Sequence, residues 1–151
     1  MAREAVMAHI RKLIRDDIKT TLTGLTTTGA NCFASRVYPI ESARLPGIII
    51  YTESETNNYV TMGLPRTQRR TLRVSVEVYV SGVSNYDATL DLICAEIEDA
   101  LYTDLTRGGY AEDTKVVNFD SQFTGDGNQP VAIGVLTVEV EYHSTEGSIN
   151  S

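Results

Sequence analysis

Leu72-Arg73-Val74-Ser75-Val76-Glu77-Val78-Tyr79-Val80-Ser81 is a run in which every second residue is apolar. Side chains of a β-strand alternate between faces, so Leu72, Val74, Val76, Val78 and Val80 point one way and Arg73, Ser75, Glu77, Tyr79 and Ser81 the other. The run predicts a strand with one apolar and one polar face, and hence a sheet covered on a single side. Leu136, Val138, Val140 and Tyr142 against Thr137, Glu139 and Glu141 repeat the division, predicting a last strand over 131–143. A further strand is expected over 115–123, joined to the last one by the reversing loop Gly125-Asp126-Gly127-Asn128-Gln129-Pro130. Gly47-Ile48-Ile49-Ile50-Tyr51 reads as a buried strand, and Cys32 to Tyr38 as a short one closed by Pro39.

Two segments carry the helical period instead. Val6, Met7, Ile10, Leu13, Ile14, Ile18, Leu22 and Leu25 recur at three- and four-residue steps, predicting an amphipathic helix from Arg3 to Leu25 that Gly24 helps to end. Leu90, Ile93, Cys94, Ile97, Ala100 and Leu101 form the stripe of a second helix, capped by Ser84 or Asn85 and running through Tyr102. The fold class that follows is α+β: one domain over 1–143 with a mostly antiparallel or mixed sheet of about four to five strands and two main helices packed on one face. Residues 144–151 form a polar tail. The polar stretch 52–70 has neither period, and is expected to lack regular structure and to be mobile until a partner orders it.

A chain of 151 residues fits one domain and buries roughly two-thirds of its unfolded surface. Acidic residues outnumber basic ones, 20 to 13, and the net charge of -7 argues against broad binding to a phosphate backbone. The two cysteines, Cys32 and Cys94, are far apart and read as free thiols. No apolar run approaches the ~20 residues of a membrane span, and residues 1–6 lack the apolar core of a signal peptide, so synthesis in the cytoplasm without a membrane partner is expected.

Sites of chemistry are sparse. His9 and His143 have no Cys, Asp or Glu at the spacing of a zinc motif, and there is no G-x-S-x-G nucleophile elbow. Gly125-Asp126-Gly127 lacks the helix and lysine of a phosphate loop and the acidic spacing of a calcium loop, which leaves a turn. No catalytic residue, metal or cofactor is expected. Arg66, Arg69, Arg70 and Arg73 are the one basic cluster; it reads either as half of a subunit interface or as a charged strand entry that blocks wrong edge pairing. Asp87, Asp91, Glu96, Glu98 and Asp99 lie mostly off the stripe of the second helix, as a solvated face does.

The first helix ending at Leu22-Thr23-Gly24-Leu25, the Thr27-Thr28-Gly29 turn, Phe33 to Pro39 and Leu45 to Thr52 together resemble the tail terminator proteins of long-tailed bacteriophages, the minor tail protein U family. The likeness continues through Pro65-Arg66-Thr67-Gln68-Arg69-Arg70-Thr71-Leu72 and the second helix. It implies an α+β virion protein, not an enzyme. It also implies a ring, hexameric in that family, that caps the tail tube at its head-proximal end, stops polymerisation and offers head-completion or neck proteins a docking surface. Under that resemblance Arg66, Arg69, Arg70 and Arg73 are candidates for one side of a head-to-tail contact and Asp87, Asp91 and Glu98 for the other. Glu77, Glu139 and Glu141, on the polar sheet face, are candidates to line a lumen through which genomic DNA passes without specific binding. A head-tail connector of the same ring-forming type is the alternative, and an enzyme built from distant acids with His9 or His143 a remoter one.

Overall fold

The computed structural model describes residues 9–34, 45–82, 85–124 and 130–145. In chain order it contains α1 (Ile10–Leu22), β1 (Cys32–Ala34), β2 (Gly47–Tyr59), β3 (Thr67–Ser81), α2 (Tyr86–Tyr102), β4 (Asp113–Thr124) and β5 (Val131–Thr145). The strands form one sheet in the order β1-β2-β3-β5-β4. β1 runs parallel to β2, and every other pair is antiparallel. The expected α+β class, a mixed sheet with two helices, is the class observed.

The alternation in residues 72–81 does what its spacing predicts. Leu72, Val74, Val76, Val78 and Val80 are buried with Val138, Val140 and Tyr142 of β5 and Ile48 and Ile50 of β2. Ile14, Ile18 and Leu22 of α1 and Leu90, Ile93, Ile97 and Leu101 of α2 complete the same core. Each such side chain contributes roughly 1.5–3 kcal/mol on leaving water, so packing on the sheet, more than helix propensity, holds both helices. His9 caps α1: its Nδ1 accepts the backbone N–H of Arg11 at 2.9 Å, a bond that needs the neutral ring. Burial, and then the charge of Arg11, lower its pKa in keeping with that. After α1 the chain turns at Gly24, whose φ of +93° is open to glycine and strained for other residues.

Residues 52–70 depart from the expectation. Residues 52–59 and 67–70 are strand, and the β2–β3 ladder runs unbroken in direction from Gly47↔Tyr79 to Tyr59↔Gln68. A bulge between Thr52 and Ser54 shifts the side-chain alternation of β2 by one residue, which hides the strand from a period-2 reading. Only 60–66 remain as the loop of a hairpin, with a cis Leu64–Pro65 bond. The basic cluster does not guard an edge either, because β3 is interior, flanked by β2 and β5. Val6, Met7, residues 35–39, Ser84, the 125–129 loop and residues 146–151 lie outside the described residues. β5 continues two residues past 143, to Thr145.

Both thiols are free and buried, as their spacing led one to expect. Burial raises both pKa values, that of Cys94 to about 11, with Asp91 and Glu98 adding to the rise. The fold thus favours the protonated thiol of Cys94. Its contribution to stability is whole below the ordinary value near 9 and is lost as pH rises through about 11. The native protein should therefore react slowly with Ellman's reagent at pH 8 and release two equivalents on unfolding, and Cys94→Ala should flatten the loss of stability between pH 9 and 11.

Candidate functional site

The polar face of the sheet gathers five of the ten candidate residues singled out in the sequence: Arg69, Arg73, Glu77, Glu139 and Glu141. Cross-strand register aligns Arg73 with Glu139 and Lys115, Thr71 with Glu141 and Asp113, and Arg69 with His143. The charges pair within the subunit: Arg73 with Glu139 and Arg69 with Glu141, both at 3.6 Å, and Lys115 with Asp113 at 3.7 Å, while Nδ1 of the His143 ring lies 2.7 Å from the Glu112 carboxylate. Such exposed pairs contribute only about 0–1 kcal/mol each, but they balance the sign of the face. Glu77 is held differently, accepting the hydroxyls of Tyr51 at 2.9 Å and Tyr79 at 2.8 Å. Burial and this carboxylate push the Tyr79 hydroxyl up, so it stays a donor. Glu77, Glu139 and Glu141 therefore share one face, as expected, but each is engaged by a neighbour.

Arg70 sits on the opposite, helix-covered face. Its guanidinium donates to Glu55 at 2.8 Å, Ser144 at 3.0 Å and Gln68 at 2.8 Å, and the same Glu55 accepts from Arg11 at 3.0 Å and from Tyr142 at 2.5 Å. This is a buried structural network that ties β2, β3, β5 and α1 together. Arg66 is at the other extreme, on the 60–66 loop, its guanidinium 4.9 Å from the centre of the Tyr59 ring. The four arginines thus occupy three environments: a hairpin tip, a charged face and a buried network.

The acids of α2 divide as well. Asp87 and Asp91 are exposed, whereas Glu96 accepts the hydroxyl of Thr27 at 2.6 Å and its backbone N–H at 3.1 Å, tying α2 to the turn after α1. Asp91 and Glu98 line a cleft of about 270 Å³ between α2 and β4, with Cys94, Ala95, Phe119 and Leu136. A second bulge, between Val116 and Asn118, builds it: beyond the bulge Phe119 and Phe123 turn to the helix side of the edge strand. Gly134 makes room, since a Cβ there would lie 3.0 Å from Phe119 and 3.3 Å from Leu90. Phe119 and Phe123 remain 42% and 49% exposed.

The hairpin tip is a second apolar surface. Tyr59 and Val60 are exposed, and Met62 and Leu64 are 98% and 81% exposed. The segment that holds the tip was singled out for its polarity as one that a partner orders, but its exposed apolar side chains and the cleft escaped the sequence reading. The signal for the tip was Val60, Met62 and Leu64 alternating inside a segment dominated by polar residues; the cleft had none, because the bulge that forms it leaves no pattern. Among the described residues no group of three or more His, Cys, Asp or Glu could hold a metal ion, and no helix is long and apolar enough to cross a membrane.

No protein-family model matches the chain, and no curated protein matches it. Solved structures do. One, described as "Virion of native gene transfer agent (GTA) particle", is 12% identical with a TM-score of 0.45, over 91% of this chain and 98% of that one. Another is 15% identical with a TM-score of 0.43, over 94% of this chain and 97% of that one. At this distance the reading of function rests on the residues themselves.

Proposed function

We propose that this chain is a non-enzymatic virion structural protein that assembles into a ring, a hexamer by the family resemblance, capping the tail tube of a long-tailed phage or phage-like particle. The observation that carries the assembly is the presence of two separate exposed apolar surfaces, the 59–64 tip and the α2–β4 cleft, on one small domain. Exposed patches of this kind mark association sites, and two different patches suit the head-to-tail contacts from which rings close. The tail-capping role rests on the resemblance in the first helix and its end at 22–25, the 27–29 turn, residues 33–39, 45–52 and 65–72, and the second helix.

In this reading the ring terminates the tube at its head-proximal end and presents its other side to head-completion or neck proteins. The polar sheet face, with Glu77, Glu139 and Glu141, faces the channel. Its acids are paired with Arg73, Arg69 and the tyrosines, so DNA meets a nearly balanced wall rather than a sink for its phosphates. Light scattering on the purified chain, followed by negative-stain microscopy of tail tubes with and without it, tests the proposal. The expected result is a ring and tubes of uniform length in its presence. A chain that neither forms rings nor limits tube growth overturns it, and binding to connector proteins in place of tubes supports the connector alternative.

A further inference from the structure

We propose that the hairpin tip of one copy seats in the α2–β4 cleft of the next copy, with Met62 and Leu64 against Phe119 and Leu136 and with Arg66 against Asp91 and Glu98. The inference rests on the ring reading and supplies its repeating contact. Both halves have the required chemistry. The tip presents its most exposed apolar side chains next to a cation, and the cleft has an apolar floor of Cys94, Ala95, Phe119 and Leu136 beneath two carboxylates. Its volume of about 270 Å³ falls below the range of drug-sized ligand pockets and suits a side chain or two.

Charge and distance decide which copy supplies the tip. Residues 60–66 contain Arg66 and no acid, and the cleft lining contains Asp91 and Glu98 and no base. Tip against tip or cleft against cleft would bring like charges together, while tip in cleft joins opposite ones. The tip cannot reach the cleft of its own subunit. It leaves the sheet beside Gln68, whereas the cleft lies at the level of Leu136, which is paired with Val76. At ~3.3 Å per residue those levels are roughly 26 Å apart along the strand, before the two further strand spacings out to β4. A contact between two different patches of one chain is heterologous, so each copy keeps a free tip and a free cleft until the ring closes.

Disulfide trapping of the full chain tests this. Met62→Cys with Ala95→Cys, both in a Cys94→Ala background so that no native thiol lines the cleft, places one thiol on the tip and one at an exposed cleft position, while buried Cys32 reacts slowly. Mild oxidation should give a ladder of dimer, trimer and larger products on non-reducing gels. Either single variant should stay monomeric, since tip against tip and cleft against cleft are disfavoured, and a single variant that dimerises as readily as the double variant forms its ladder overturns the contact. Arg66→Glu should weaken self-association roughly tenfold, and adding Glu98→Arg should restore most of it. No ladder from the double variant, or a product that stops at dimer, overturns the contact. If wild-type rings still form, the ring reading survives that failure; if no rings form and tubes are not capped, both fall.

Discussion

Replacing Glu55 with glutamine lowers the unfolding free energy by about 3–5 kcal/mol, the loss expected when one member of a buried ion pair is removed. Glu55 and Arg70 have side chains only 7% and 11% exposed. The carboxylate accepts from Arg70, Arg11 and Tyr142 at once. Burial and this carboxylate raise the pKa of the Tyr142 hydroxyl, which keeps it a donor. Glutamine would turn an amide N–H₂ or a neutral oxygen toward the Arg70 guanidinium, leaving its charge buried without a counter-ion. Arg11, more than a third exposed, can return to water; Arg70 cannot. With a urea m-value of ~2 kcal/mol/M, the midpoint should drop by roughly 1.5–2.5 M. Glu55→Leu with Arg70→Met should regain most of the loss, since a paired charge exchanged for packed apolar groups is often neutral. If the single and double variants fall equally, the network is not what holds that end of the sheet.

The position of Glu55 marks how far the sequence was legible. Regular periods were readable because burial enforces them: residues 72–81 and 131–143 alternate, and the stripe of α2 repeats at helical steps. What a period cannot reveal is a place where the backbone breaks it. The bulge after Thr52 puts Glu55 opposite Leu72 on the covered face, so a polar stretch that read as a loop is a strand contributing to a buried network. The bulge after Val116 likewise moves Phe119 and Phe123 onto the helix side and creates the cleft. Arg70 followed the period correctly, on the same face as Leu72, but its charge invited an interface reading because its partner Glu55 was invisible. Of the candidate site, the acids Asp91 and Glu98 and the cation Arg66 were legible as charges. The apolar tip had a local trace in the alternation of Val60, Met62 and Leu64, whereas the cleft depends on tertiary placement, which no local pattern encodes.

Arg107 extends the point to a residue with no sequence signal, and its loss is the second large effect expected. Arg107→Ala should lower stability by about 3 kcal/mol, through an emptied site and unpaired polar groups. The side chain is wholly buried. It donates to the Leu101 carbonyl at 2.6 Å and to the Asp104 carbonyl, and faces Asp17 of α1 at 3.3 Å, so one group joins both helices to the loop before β4. Burial outweighs the attraction within the pair: Asp17 lies above its ordinary pKa and Arg107 below its own. Removing the cation should raise Asp17 further, measurable by NMR titration. A carboxylate whose folded pKa is raised gives stability that is full below about 3.8 and lost as pH rises through the folded value. Arg107→Ala should therefore hurt less near pH 4 than at pH 7. Asp104 has the opposite sign. Held at about 2 by the Thr106 hydroxyl and the Gly108 and Thr106 backbone, it favours the fold above 3.8 and loses that contribution as pH falls toward 2. Because the causes at Asp104 are chiefly hydrogen bonds rather than Arg107, its acid limb should persist in the variant if the loop keeps its shape. Loss of that limb together with the Asp17 shift would mean that Arg107 organises the loop itself rather than bridging helices already in place.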